Sequence, residues 1–279
     1  MLVFLVVLCG FVGGGIVLSA SSAPSAATLH VAVRTPVGRS RVRVAHKKVA
    51  RFPTSHGVIS AAHWLGGRAG EKAFAVYDNK HKLSGINIHM RFHSASVVKS
   101  MLLVAYLKHI RAEHGRLDSA NEGLMYPMIH SSDNGAASAI FAIVGEGGLA
   151  RVAREAHMED YGSGEGIWGF TEISASDMAR FFYIQDRLIP RRFDGYARWL
   201  FSNIEPGESW GIPEAARPEF KVFFKGGWLP EIEGLVNQVA RLERGKKTFA
   251  MAVLTRHDPS MGYGEETLAG VAARLIQGA

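Results

Sequence analysis

The chain has one cysteine, Cys9, and it stands inside the first apolar run. A disulfide scaffold is therefore excluded, and removal of that run would exclude a thiol nucleophile as well. No acidic residue occurs before Glu71. No Walker sequence is present, and no GxGxxG follows a strand; GFVGGG falls in the apolar start and GGW follows a late strand, so neither suits a nucleotide fold. The 12 histidines contain no HExxH or other ligand spacing: His89 and His93 are four apart, and His130 stands just before Ser131 and Ser132. Neither cofactor nor metal is expected. Hydrophobic residues at 47% against 20% charged make a long disordered chain equally unexpected.

The start MLVFLVVLCGFVGGGIVLSA carries no charged side chain, and the small, polar SSAPSAA follows. This pattern predicts a signal peptide or an N-terminal anchor over residues 1–27, because ~20 apolar residues suffice to span a bilayer. The glycines and the short apolar core favour removal. Leu8, ahead of Cys9, is not the small residue that precedes a lipid-modified cysteine. A secreted or extracytoplasmic protein is expected, held by residues 1–20 if they are kept. The net charge of +7 concentrates in Arg34, Arg39, Arg41, Arg43, Lys47, Lys48 and Arg51, which makes residues 28–54 a basic linker or edge strand. Such an arm is either simply solvated or drawn to an anionic envelope surface, lipid or cell-wall polymer. Nucleic acid is not an expected partner, since the arm lacks a reading motif.

Residues 55–279 read as one α+β domain. HGVISAAHWLGG predicts a first helix ending near Gly66 and Gly67, AFAVYD a core strand, and INIHMRF a second strand. From Ser96 to about residue 188 the periodicity is helical. It includes AASAIFAIVG and LARVAREAHM as successive units, and a helix capped by Ser174 with Asp177 in its first turn. EFKVFF predicts a strand ending at Lys225, and GLVNQVARLE with KKTFAMAVLT a hairpin across ERGK. GEETLAGVAARLI closes the chain as an amphipathic helix. Three late strands in series predict antiparallel pairing, in a sheet built from both ends of the chain and covered by the terminal helices.

Ser96 and Lys99 lie at i and i+3 in FHSASVVKSMLLVAYL, on one face of a helix too apolar to be exposed. A lysine held beside buried surface loses proton affinity and can serve as a base. The alternative is that Ser94 or Ser96 caps the helix while Lys99 snorkels to water. Two further elements follow in order: Ser132, Asp133 and Asn134 at a helix junction, then Lys225, Gly226 and Gly227 at a strand. SxxK, SDN and KTG in that order are the signature of penicillin-recognising serine enzymes. From about residue 57 to its end the chain resembles the class A β-lactamase and penicillin-binding-protein superfamily, as an atypical member. The resemblance implies an antiparallel sheet with flanking terminal helices beside an all-helical layer, with the cleft between them.

Three departures are plain. Ser96 and Ser132 are only 36 positions apart; KTG has become KGG, so Gly226 lacks the hydroxyl that helps hold a substrate carboxylate; and the ExxLN glutamate for deacylation is missing. Between Tyr161 and Ser174 only Glu165 and Glu172 occur, and Glu165 is the candidate replacement. On this reading Ser96 is the nucleophile and Lys99 the general base. Ser132 relays a proton, and Lys225 holds that network or attracts a carboxylate. Asn134 contacts a substrate amide and Lys99, while the Ser96 and Trp228 amides form an oxyanion hole beside Gly227. Asp133 is structural, either turned inward or capping the next helix. Trp168 is a candidate cleft wall. The expected function is acyl transfer on β-lactam, peptidoglycan-like peptide or ester substrates, with slow β-lactam turnover. A non-catalytic envelope-binding module on the same fold is the alternative.

Overall fold

The computed structural model describes residues 50–277. The expectations for the apolar start and for the arm as far as Lys48 lie outside the described residues. Arg51 and Phe52, assigned to the arm from sequence, belong to the folded domain. Arg51 pairs with Asp78, and Phe52 is buried against Phe220 and Phe249.

Helix α1 (Ser55–Gly66) starts at Thr54, whose side chain accepts from the Gly57 amide at 3.0 Å. Strands β1 (Glu71–Tyr77) and β2 (Leu83–Ile86) form a hairpin. INIHMRF is not the single strand expected from its apolar residues. Asn87 sits at φ 50°, a left-handed conformation that ends β2, and β3 (Arg91–His93) resumes after a turn in a separate small sheet. Helices α2 (Lys99–Ala112), α3 (Ser119–His130) and α4 (Asn134–Glu155) then pack on one another. The two helical units expected after Asn134 are joined in α4 across a kink where Gly145 takes φ 60°.

Strand β4 (Glu172–Ser174), not foreseen, pairs with β3 and ties the loop before it to the segment entering Ser96. Helix α5 (Ala175–Leu188) begins at Ser174, whose hydroxyl accepts from the Asp177 amide, and packs on the main sheet. Helices α6 (Asp194–Ser202) and α7 (Ile212–Ala216) lead to β5 (Lys221–Leu229), the short α8 (Pro230–Glu233), and the hairpin of β6 (Leu235–Arg244) and β7 (Lys247–Arg256). Gly245, at φ 58°, supplies the left-handed residue that a two-residue turn needs. Helix α9 (Met261–Ile276) packs on α1, β6 and β7.

The main sheet runs β2-β1-β7-β6-β5, antiparallel throughout, so its strands do come from both ends of the chain. Strand β5 does not stop at Lys225. It continues through both glycines, pairing Gly226 with Gln238, Gly227 with Asn237 and Trp228 with Val236. Glycine weakens a strand interior unless another group needs the space, and here two groups do.

Candidate active site

The chain enters α2 through a 3-10 turn, Ala95–Val98, so Ser96 precedes the α-helix instead of lying in it. Neither Ser94 nor Ser96 caps that helix; the Ser94 hydroxyl donates to the Ala95 and Gly169 carbonyls. Ala95 takes φ 45°, a strained conformation for a residue with a Cβ. Two bonds hold this segment: the Ser94 amide donates to the Thr171 carbonyl at 2.8 Å, and buried Asn237 donates its Nδ2 to the His93 carbonyl at 2.9 Å. Ser96 is half-buried at the mouth, while Lys99 is fully buried. The structure therefore excludes the snorkelling alternative.

Gly227 passes directly over this turn. A Cβ there would stand 2.6 Å from the Ser96 nitrogen and 2.7 Å from that of Val97, closer than real contacts allow. Only glycine lets the strand approach the amides, which is why β5 carries it. Gly227→Ala is expected to force strand and turn apart and to lower Ser96 labelling by a fluorophosphonate probe about 10²-fold or more, the effect of losing one oxyanion donor. Labelling at the wild-type rate would show that the approach has no bearing on reactivity.

Ser132 takes φ 56° between α3 and α4 and is 8% exposed. Its Oγ accepts from two lysines, Lys99 Nζ at 3.2 Å and Lys225 Nζ at 3.0 Å. Lys99 Nζ also donates to the Ser132 carbonyl and to Asn134 Oδ1 at 2.8 Å. Among the described residues it makes no hydrogen bond to Ser96. Three acceptors match the three donors of an ammonium, which has no lone pair to offer a base's task. Burial, and then the positive charge of Lys225, bring Lys99 down to about 7. Lys225, also fully buried, is lowered by its burial to about 8.

Glu208 is the partner that sequence left unseen. It sits in the 3-10 turn Pro206–Glu208 before α7, and its Oε2 lies 3.6 Å from Lys225 Nζ, an ion pair beyond hydrogen-bond reach. Burial raises the Glu208 carboxyl, against the pull of both lysines. In Pro-Gly-Glu nothing but tertiary folding marks a glutamate as buried. Trp210, two residues on, is equally without a sequence signal. Its ring carbons would stand 3.0 Å from a Cβ on Gly226.

A pocket of ≈ 260 Å³ opens at Ser96, walled by Ile167, Trp168, Phe170, Trp228 and Leu229, with Asn134 at one side. Trp168 is thus a wall, with its ring centroid 5.0 Å from Lys99 Nζ and its Nε1 donating to Ser138 Oγ at 3.1 Å. Asp133 is exposed and caps α4, accepting from the Ala136 amide at 2.6 Å, so it does not turn inward. Glu165 is exposed at φ 51° in a neighbouring pocket with His93, Ser163 and Glu172. Phe170 borders both pockets, and the structure does not bring Glu165 to Ser96. His130 stacks on Tyr126 and pairs with the Asn203 carbonyl, away from Ser96. His89 pairs with Asp160 and His93 with Glu233. Among the described residues no three His, Cys, Asp or Glu side chains form a group that could hold a metal ion.

The family described as "Beta-lactamase enzyme family" matches residues 120–279, a span that includes Ser132 and Lys225 and begins after Ser96 and Lys99. Among solved structures, the chain is similar to a β-lactamase from Sphaerobacter thermophilus DSM 20745: TM-score 0.70 and 19% identity, over 79% of this chain and 96% of that one. A representative class A β-lactamase from Bacteroides cellulosilyticus DSM 14838 matches with TM-score 0.70 and 14% identity, over 81% and 98%. The protein titled PBP-A matches with TM-score 0.68 and 14% identity, over 80% and 96%. At these identities the likeness shows a shared fold. No curated protein is similar to the chain in sequence.

Proposed function

The chain belongs to the beta-lactamase enzyme family, and from that premise we propose that it is a serine hydrolase working through an acyl-enzyme at Ser96. One observation carries the reading: a half-exposed serine faces an apolar pocket, one turn from a buried lysine lowered to about 7. A base poised near neutrality is what proton abstraction requires.

Lys99 first gives up a proton to solvent, and with it one of its three hydrogen bonds, which frees a lone pair for Ser96. Ser96 Oγ then bonds to the acyl carbon and its proton passes to Lys99. The developing oxyanion is met by the Ser96 amide beneath Gly227, with the Trp228 amide as its proposed partner. As the bond to the leaving group breaks, Ser132, in contact with both lysines, delivers its proton to it and takes in return the one that Lys99 accepted from Ser96. The charge on Lys225, countered by Glu208, keeps the Ser132 hydroxyl oriented. Asn134 holds Lys99 and stands at the pocket wall, where it can meet a substrate amide.

Release requires a water and a base. Glu165, beyond Phe170, is not placed for that task, so slow turnover of β-lactams is part of the proposal. The same proposal sets this chemistry outside the cytoplasm, on a small-molecule or peptidoglycan-like substrate. What supports that location is the uncharged start, and the basic arm supports an anionic envelope surface as its neighbour.

Intact-mass measurement with a fluorophosphonate is the test. A single adduct mapping to Ser96 is expected, together with a slowly decaying adduct from penicillin. A folded protein that takes no adduct from fluorophosphonate or from several acyl donors would favour the non-catalytic binding module. Rapid penicillin turnover without a detectable adduct, abolished by Glu165→Gln, would refute slow release.

A further inference from the structure

None of the residues that wall the Ser96 pocket is charged. Lys99 and Lys225, which meet at Ser132, are fully buried. Lys99 serves Ser132 and Asn134. Lys225 serves Ser132 Oγ at 3.0 Å and the Gly226 carbonyl at 3.0 Å, and its charge is met by Glu208. An incoming anion would have to compete with Glu208 for the remaining Lys225 donor. The strand position next to Lys225 is Gly226, which offers no side-chain donor.

Trp210 keeps it so. Its ring carbons fill the space where a Cβ at 226 would begin. The ring meets Trp228 edge to face, with centroids 6.0 Å apart at 77°, and the Trp210 carbonyl accepts from buried Gln238 Nε2 at 2.8 Å. Trp210 is thereby braced from two sides, one of them a pocket wall. A carboxylate brought into this pocket would lose water and gain no charged partner from its walls, which is costly. At ≈ 260 Å³ the pocket also lies below the ~300–1,000 Å³ usual for drug-sized ligands.

Resting on the acyl-transfer reading above, we propose that the Ser96 pocket prefers small, uncharged acyl donors such as short-chain esters and thioesters over donors whose leaving group carries a carboxylate, penicillin among them, with Trp210 as the specificity-determining residue. In the favoured reaction Ser96 Oγ bonds to the acyl carbon, the carbon–sulfur or carbon–oxygen bond breaks, and the serine proton leaves on the thiol or alcohol. Water then returns the acid and free Ser96.

S-butyrylthioglycolic acid and its methyl ester are a matched pair for the test. They differ only in that carboxylate, and each rate is divided by the uncatalysed hydrolysis rate to remove leaving-group differences. Acylation of Ser96 is read by intact mass. The methyl ester is expected to react at least about tenfold faster, the scale on which pockets discriminate small groups. In the double variant W210A/G226T the preference is expected to fall several-fold, because a threonine hydroxyl then has room beside Lys225. A faster reaction of the free acid with the wild-type protein, or equal rates for the two, would overturn the inference whatever the variant does. Failure of both thioesters while fluorophosphonate still labels Ser96 would overturn the substrate class alone. Failure of all three would instead overturn the acyl-enzyme reading on which it rests.

Discussion

Replacing Lys99 by methionine is expected to slow acylation of Ser96 by about 10²- to 10⁴-fold, the usual worth of a general base, and at the same time to raise the melting temperature. Both effects come from the same burial. Lys99 is fully enclosed, and its proton affinity has dropped from the ordinary 10.5 to about 7. At neutral pH that displacement represents a destabilisation on the order of 4 kcal/mol, because each unit is worth 1.36 kcal/mol. Opposing it, the variant strips hydrogen bonds from the Ser132 carbonyl and from Asn134. Asn134 is exposed and finds water; the Ser132 carbonyl costs roughly 1–3 kcal/mol if left unpaired. The desolvation effect is the larger, and a gain of a few degrees is expected at about 2–4 °C per kcal/mol.

The sign with pH separates this cause from a general packing effect. A lysine lowered in the folded state destabilises fully below its folded value, and the cost is relieved as pH rises from about 7 toward 10.5, where the unfolded chain also loses the proton. The advantage of Lys99→Met should therefore be large at pH 6 and shrink toward pH 10. Differential scanning fluorimetry across that range checks it. An advantage independent of pH, or a variant that still acylates at the wild-type rate, would remove Lys99 from its role.

The pH profile of acylation in the wild-type protein is the second large expectation. Below about 7 the rate should fall tenfold per pH unit, because Lys99 must be neutral to accept a proton. At pH 5 it should be about 100-fold below the plateau. Above about 8 the rate should fall again as Lys225 loses the charge that orients Ser132. The lysines share Ser132 and repel one another, so the two limbs belong to the pair. Two variants move them in opposite senses. Lys225→Met removes the second cause of the low Lys99 value, shifting the acid limb to higher pH. Glu208→Gln removes a carboxylate that favours the charged form of Lys225, shifting the alkaline limb to lower pH. Stopped-flow acylation by a neutral ester measures both limbs. An acid limb that stays in place in Lys225→Met would mean that burial alone sets Lys99.

What the sequence revealed of this site is the part written in fixed local spacing. Ser96 and Lys99 stood out by their spacing, while Ser132, Asn134 and Lys225 were joined to them by the resemblance to the ordered signature of the penicillin-recognising enzymes. The antiparallel sheet followed from strands in series. What stayed hidden came from loops folding back. Glu208 and Trp210 lie in a stretch whose composition reads as solvent-exposed turn, yet they close the space around Lys225 and Gly226. The strand through Gly226 and Gly227 was cut short for a related reason. Two glycines read as a stop unless one knows that a serine amide and an indole ring occupy the missing side-chain volumes. The turn at Asn87 and the three-residue β4 were likewise too short for periodicity to register.

The strand order carries a consequence for how the chain comes into being. β1 ends at Tyr77, yet its inner neighbour β7 begins only at Lys247, so the first hairpin must wait for the last strand. Until Lys247–Arg256 has been synthesised, β1 has an unpaired inner edge, and α1 waits longer still for its partner α9. Pairing between residues so far apart makes for slow, late closure. The sheet of a nascent chain therefore has no early half that could close before β7 is made. A truncation that removed β7 and α9 would leave β1 and β6 without the strand between them and α1 without the helix it packs on.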